Sequence, residues 1–191
     1  RIHRHGAKFF VQLHHPGRQN VGLLVGTVPL SIKCESLTRG AYGKLLYKLT
    51  PKVGPTMLEH NIVPSSVAPS KCSPAYFAGG RVRALRHSEI KELEQQFIDG
   101  AVRVKKAGCD GVELHSSHGY LLQQFLSPVT NRRTDEYGGS LDNRMRFMRM
   151  CLGEAVEAAR ACGMAITVKH NMYDGFKGGI EIPESLEIAR E

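Results

Sequence analysis

Two long segments carry apolar residues at helical spacing, and each stops at a glycine followed by a short apolar run. Ile90, Leu93, Phe97, Ala101 and Val104 recur every three or four residues, Gly108 stops them, and Cys109 to His115 follows as a strand. Leu141, Met145, Phe147, Met148, Leu152, Ala155 and Val156 populate a second helix, Gly163 ends it, and Ala165 to His170 follows as a strand. An earlier run, Lys8-Phe9-Phe10-Val11-Gln12-Leu13-His14, is apolar, aromatic and β-branched and ends at His-His-Pro-Gly, so it reads as a buried strand. Strand, helix, strand, helix, strand in this order requires parallel strands joined by helical crossovers.

Two architectures satisfy that order, a doubly wound sheet and a (β/α) barrel. The first strand is not followed by GxGxxG, which a dinucleotide-binding doubly wound sheet would carry there. Polar and ionisable residues stand at the carboxyl ends of all three strands: Gln12 with His14 and His15, His115 with His118, and Lys169 with His170. One rim fed by every strand is the habit of the (β/α)8 TIM barrel. The expected fold is therefore α/β, part of such a barrel. Three strands fall short of a closed barrel. RIHRHGAK at the start reads as a helix end, and the last helix, opened by Pro183-Glu184, is cut short, so an interior piece of a longer protein is expected.

Local signals set the boundaries. Ser88 reads as an N-cap, with Glu89 and Glu92 in the first turn where the helix dipole favours negative charge. Gly119 to Leu126 reads as a short helix closed by Ser127-Pro128, and Ser140 caps the second long helix. Residues 18–86 are expected to form an irregular excursion after the first strand, with a hint of helix from Tyr42 to Leu49. The whole of 1–191 then belongs to one partial barrel domain.

Composition narrows the function classes. With 41% hydrophobic and 23% charged residues the chain is ordinary for a globular domain. No apolar run approaches the ~20 residues of a membrane span and no signal segment opens it, so a cytoplasmic protein without a membrane partner is expected. Cys34, Cys72, Cys109, Cys151 and Cys162 form an odd set without CxxC pairs, which favours free thiols over a disulfide framework or a metal site. The net charge of +8 suggests an anionic partner. In RMRFMR (144–149), however, arginines alternate with apolar residues as on the solvated face of an amphipathic helix. No aromatic RNP pattern or zinc finger supports nucleic acid. A phosphate-bearing cofactor fits the charge equally well.

GVELHSSHGY (111–120) sets a strand directly against two histidines and a tyrosine. Either the histidines satisfy backbone groups in a core, or the strand delivers proton-active rings to an active site at its carboxyl end. HxxH as a zinc pair is the weaker rival, because the HExxH context and a third ligand are missing.

FVQLHHPGRQ (10–19), GCDGVELHSSHGYLLQQFLSPVTNRRTDEYGGSLDNRMRF (108–147) and AITVKH (165–170) together resemble the Old Yellow Enzyme superfamily of FMN-dependent NADH:flavin oxidoreductases. Within it they are most similar to the 2,4-dienoyl-CoA reductase and 2-enoate reductase branch. The resemblance covers what would be strands three to five of that family's barrel, and 20–80 match loosely.

The resemblance implies an FMN-dependent ene-reductase, in which NAD(P)H reduces the flavin and hydride passes to an α,β-unsaturated carbonyl compound: an enoate, an enoyl-CoA or a steroid-like enone. It implies that Gln12 bonds the pyrimidine edge of the flavin, an amide matching an imide's donor and acceptor pattern. Lys169 stands where most relatives carry arginine near the flavin; it keeps the charge that stabilises reduced flavin and loses the planar fork. His115 and His118 match the pair that grips the substrate carbonyl oxygen. Tyr120 matches the tyrosine that protonates the α carbon, a task suited to a phenol, which holds its proton at neutral pH. His14 replaces a tryptophan common in relatives, and His15, Gly17 and Arg18 match a segment read as structural. Such sites bind phenols by charge transfer. Members of this branch often carry an iron–sulfur cluster and a FAD domain after the barrel, and the reading leaves room for a homo-oligomer. Within the fold the rival is an amine dehydrogenase, and outside it a truncated, non-catalytic remnant. The 191 residues alone are expected to be inactive.

Overall fold

The structure, a computed structural model, describes residues 1–19, 66–72, 82–160 and 163–191. Along them run β1 (Phe10–Leu13), β2 (Ser66–Ala68), β3 (Val82–Ala84), α1 (His87–Lys106), β4 (Gly111–Ser116), α2 (Leu121–Leu126), α3 (Leu141–Arg160), β5 (Ala165–His170) and α4 (Ile182–Arg190). Strands β1, β4 and β5 form a parallel sheet in that order, and β2 pairs with β3 in a second parallel sheet. These are parallel strands with helical crossovers, as the pattern of periods requires.

Side chains alternate across a strand, and the two faces of the main sheet differ. Val11, Leu13, Val112 and Ile166 pack under Ala101 and Val104 of α1 and Ala155 of α3. Leu114 continues that face into a cluster with Phe97, Leu121, Phe125, Phe147 and Cys151. The opposite face carries Phe10, Gln12, Glu113, Thr167 and Lys169. The register sets Gln12 beside Glu113 and Glu113 beside Thr167, then His115 beside Lys169 one step nearer the carboxyl end. A third cluster, Leu126, Met145, Met148, Ile180 and Ile188, ties α2, α3 and α4 together.

Several expectations need correction. β1 is not buried: its residues alternate between exposed and half-buried, because helices cover only one face of the sheet. The first long helix begins at His87, ahead of Ser88. Arg86 is its N-cap, and the Glu89 carboxylate accepts the Arg86 backbone N–H at 2.8 Å, so the acid at the third helical position does the capping. α2 starts at Leu121, because His118 and Gly119 both adopt positive φ (58° and 73°) and cannot continue a helix. β4 runs from Gly111 to Ser116, later than Cys109 to His115. Within 18–86, the described residues include β2 and β3, and Tyr42 to Leu49 lies outside the described residues. Ser140 does cap α3, accepting the Asn143 N–H at 3.3 Å.

RMRFMR is not wholly a solvated face. Arg144 is 5% exposed; it donates to the Leu126 carbonyl, to Gly139 O at 3.2 Å and to Glu184. Its neighbours Arg146 and Arg149 reach outward, to Glu136 O at 2.8 Å and to Glu191 at 2.8 Å. Arg133 ties the loop after α2 to the ends of β2 and β3 by donating to Pro69 O (2.9 Å) and Leu85 O (2.7 Å) while pairing with Asp135. Asn131 spans the same loop, donating to Phe125 O at 2.7 Å and Tyr137 O at 2.6 Å. The polar run TNRRTDEYGG is therefore ordered by backbone carbonyls that would otherwise go unpaired.

Candidate active site

β4 delivers the chain to a tight turn, Ser117 to Tyr120, at its carboxyl end. His118 is the one non-glycine residue with positive φ among the described residues, a conformation that histidine adopts only where its surroundings hold it. Here they do. Its N–H donates to the Asn171 side chain (3.1 Å), just past β5, and its carbonyl accepts from the Gln19 amide (2.7 Å), past β1. Leu121 N–H donates to His15 O at 3.0 Å. The ends of all three strands are thus stitched to one turn.

That turn gathers the rings. The His115 centroid lies 5.1 Å from His118 and 5.0 Å from Tyr120, and His118 is 6.4 Å from Tyr120. His14 joins them, edge-on to Tyr120 at 4.1 Å and 5.4 Å from His115. His115 is 4% exposed, and its Nδ1 has no hydrogen-bond partner among the described residues. Among the described residues, then, backbone groups do not satisfy that ring nitrogen. Burial lowers the His115 pKa, and the neighbouring His14, His118 and Lys169 push it the same way against a smaller opposing pull from Glu113. Burial lowers His14 likewise. His115 is therefore a neutral imidazole at pH 7, able to present an N–H to a carbonyl oxygen.

Two of the histidines at the strand ends serve the scaffold: His15, in the segment read as structural, and His170. His15 accepts the Gly17 N–H through Nδ1 at 3.0 Å, so its neutral ring carries the proton on Nε2; burial, with His14 beside it, lowers its pKa to about 4. Gly17 adopts φ 57°, a left-handed conformation that glycine takes without strain, and a Cβ there would also stand 2.6 Å from the Gln124 side chain. His170 turns to the helix side and shares a 2.9 Å hydrogen bond with Ser185 of α4, burial lowering its pKa.

Gln12 and Lys169 stand on the face that no described helix covers, both exposed. The Gln12 amide donates to Glu113, and Thr167 offers Glu113 a long 3.5 Å contact. The Gln12 amide oxygen has no protein donor, and Lys169 no ion-pair partner, among the described residues. A free amide acceptor and a free cation on one open face fit the polar edge of an isoalloxazine ring. Among the described residues no His/Cys/Asp/Glu group could hold a metal, and no helix is long and apolar enough to cross a membrane. Cys72, Cys109 and Cys151 are free thiols; Cys34 and Cys162 lie outside the described residues.

Glu113, Asn171 and Gln19 did not emerge from the sequence. For Glu113 a signal existed: it stands two residues before His115 in a strand, hence on the same face. The anchors Asn171 and Gln19 are fixed only by the meeting of distant strand ends.

Residues 40–190 match the family described as NADH:flavin oxidoreductase / NADH oxidase. The chain is 36% identical over 189 residues to an NADH oxidase of Thermoanaerobacter brockii, covering 99% of this chain and 23% of that protein. It is 38% identical over 169 residues to a cinnamate reductase of Clostridium sporogenes, covering 78% and 25%. Among solved structures it is similar to histamine dehydrogenase from Rhizobium sp. 4-9 (TM-score 0.69, 29% identity, 97% of this chain and 22% of that one). It is also similar to Old Yellow Enzyme from Pichia sp. AKU4542 (TM-score 0.61, 29% identity, 94% and 39%). The chain thus spans about a quarter of the length of the two relatives. Its three-stranded sheet is part of a TIM barrel.

Proposed function

Because the chain belongs to the NADH:flavin oxidoreductase / NADH oxidase family, within the Old Yellow Enzyme superfamily, we propose that it forms the catalytic arc of an FMN-dependent ene-reductase. The observation that carries the reading is the orphaned Nδ1 of buried His115, within ring contact of His118 and Tyr120. A bound flavin would supply hydride, drawn from NAD(P)H, to the β carbon of an α,β-unsaturated carbonyl compound.

The chain's own residues then divide the work. Gln12 offers its amide to the pyrimidine edge of the cofactor, and Lys169 places a cation where reduced flavin gathers charge. His115 and His118 donate to the substrate carbonyl oxygen, where negative charge grows as hydride arrives. Burial of His115 strengthens that hydrogen bond, since little water competes for it. Tyr120, held at the start of α2 by the His118 turn, gives its phenolic proton to the α carbon. The likeness to cinnamate reductase supports reduction of a C=C bond; the likeness to histamine dehydrogenase favours a second reading, oxidation of an amine.

Anaerobic flavin spectroscopy on the complete polypeptide separates them. Bound FMN should bleach with NADH or NADPH and recover its colour when cinnamate, cinnamaldehyde or 2-cyclohexenone is added. Bleaching by histamine, with no recovery by any unsaturated carbonyl compound, would overturn the ene-reductase reading in favour of the amine one.

A further inference from the structure

We propose that Glu113 is a positioning residue for the cofactor: its carboxylate fixes the Gln12 amide so that the amide oxygen faces the bound flavin. The inference rests on the flavin reading above and adds a residue to it. Gln12, Glu113 and Thr167 form one row across three adjacent strands, on the face that no described helix covers. A carboxylate only accepts hydrogen bonds, so whichever end of the Gln12 amide meets Glu113 must be the NH2. The structure has that arrangement, with Gln12 Nε2 donating to Glu113 Oε1. The other carboxylate oxygen lies 3.5 Å from the Thr167 hydroxyl, so Glu113 is approached from both flanking strands.

An exposed glutamine left alone would present either end of its amide. Beside Glu113 the choice is made before a ligand arrives: one N–H is committed sideways, and the amide oxygen is left without a protein donor among the described residues. A charge-assisted hydrogen bond holds that choice more firmly than a neutral one. Glu113 also places a negative charge one residue pair below Lys169 and His115, on the same face. It therefore partly offsets the field of Lys169 on a reduced flavin.

The test is a double-mutant cycle on FMN affinity in the complete polypeptide, read by flavin fluorescence quenching, together with the flavin midpoint potential. Glu113→Ala should weaken FMN binding by about tenfold, the size of one charge-assisted hydrogen bond. In a Gln12→Ala background the same change should cost less than about twofold, because no amide remains to orient. Glu113→Gln keeps the shape, removes the charge and lets both amides flip; it should weaken binding and raise the midpoint potential. If Glu113→Ala does not fold, the cycle is run with Glu113→Gln. Equal loss in both backgrounds, or no loss in either, overturns the inference while the flavin reading stands. Wild-type protein that takes up no FMN overturns the flavin reading itself, and this inference with it.

Discussion

On one face of the β1-β4-β5 sheet, Val11, Leu13, Val112, Leu114 and Ile166 lie under α1, α2 and α3; on the other, Gln12, Glu113, Thr167 and Lys169 stand with no described helix above them. The same strands build both, one residue out of step. The covered face can be read in the language of packing: Val112 and Leu114 are fully buried, and neither carries a polar atom on its side chain. The open face puts an amide, a carboxylate, a hydroxyl and an ammonium in two neighbouring rows, which no packing argument explains. A strand two residues out of register would leave the core intact and dismantle the row. The comparison teaches that fold and chemistry are specified by alternate residues, and that each can be perturbed with the other spared.

The largest expected effect lies on the covered face. Leu114→Ala should destabilise the protein by about 2–5 kcal/mol through lost burial and a residual cavity. Thr167→Ala, on the open face, should change stability by less than about 0.5 kcal/mol. Chemical denaturation midpoints of the complete polypeptide check both, and similar losses would break the distinction between the faces.

Next in size is a pH effect set beneath the rim. His15 keeps its neutral form down to about pH 4, against an ordinary value of 6.5. Between those values the unfolded chain binds the proton and the folded chain does not, so stability falls as pH drops from 6.5 toward 4 and is fully present above that window. The loss should be on the order of 2–3 kcal/mol. His15→Asn, which can still accept the Gly17 N–H, should flatten that slope in thermal melts run from pH 7 to pH 4.5. A wild-type protein equally stable across that range would contradict the assignment.

The smallest effect sharpens the role of the turn. Asparagine tolerates positive φ and can donate to a carbonyl oxygen, so His118→Asn should hold phenol binding within about threefold of wild type. His118→Leu keeps neither property and should lose the phenol charge-transfer band. Equal loss in the two variants would mean that His118 serves as an acid or a ligand, with more than a donated hydrogen bond at stake.

The elements legible in the sequence are those whose period is long. Both long helices and β5 emerge near their true bounds because their apolar residues repeat over several turns or fill a whole strand. β2 and β3, three residues each, are too short to carry a period. The burial of Arg144 is not legible in the sequence because its partners, the Leu126 carbonyl and Glu184, lie far along the chain, and composition carries only the charge. At the site, His115 at the end of β4 is followed at once by the turn that carries His118 and Tyr120, so one stretch of sequence names all three. Gln12 and Lys169 are legible only through likeness to a family, and their common face follows from strand pairing. Glu113 shows the limit most clearly: its alternation with His115 was visible, but its partners lie on the two neighbouring strands.

The central claim is that β4 delivers Tyr120 to a place where it protonates a substrate carbon, and Tyr120→Phe tests it most directly. The substitution removes one hydroxyl and preserves the ring that packs edge-on to His14 at 4.1 Å. Rapid mixing can follow the two half-reactions separately, as loss and return of the flavin colour. The account predicts unchanged reduction by NAD(P)H and unchanged reoxidation by a quinone, which needs no carbon-directed proton. Reoxidation by an α,β-unsaturated carbonyl compound should slow by about 10²–10⁴-fold, the span of a lost general acid. Reoxidation by that compound at the wild-type rate would contradict the account and leave Tyr120 a packing residue.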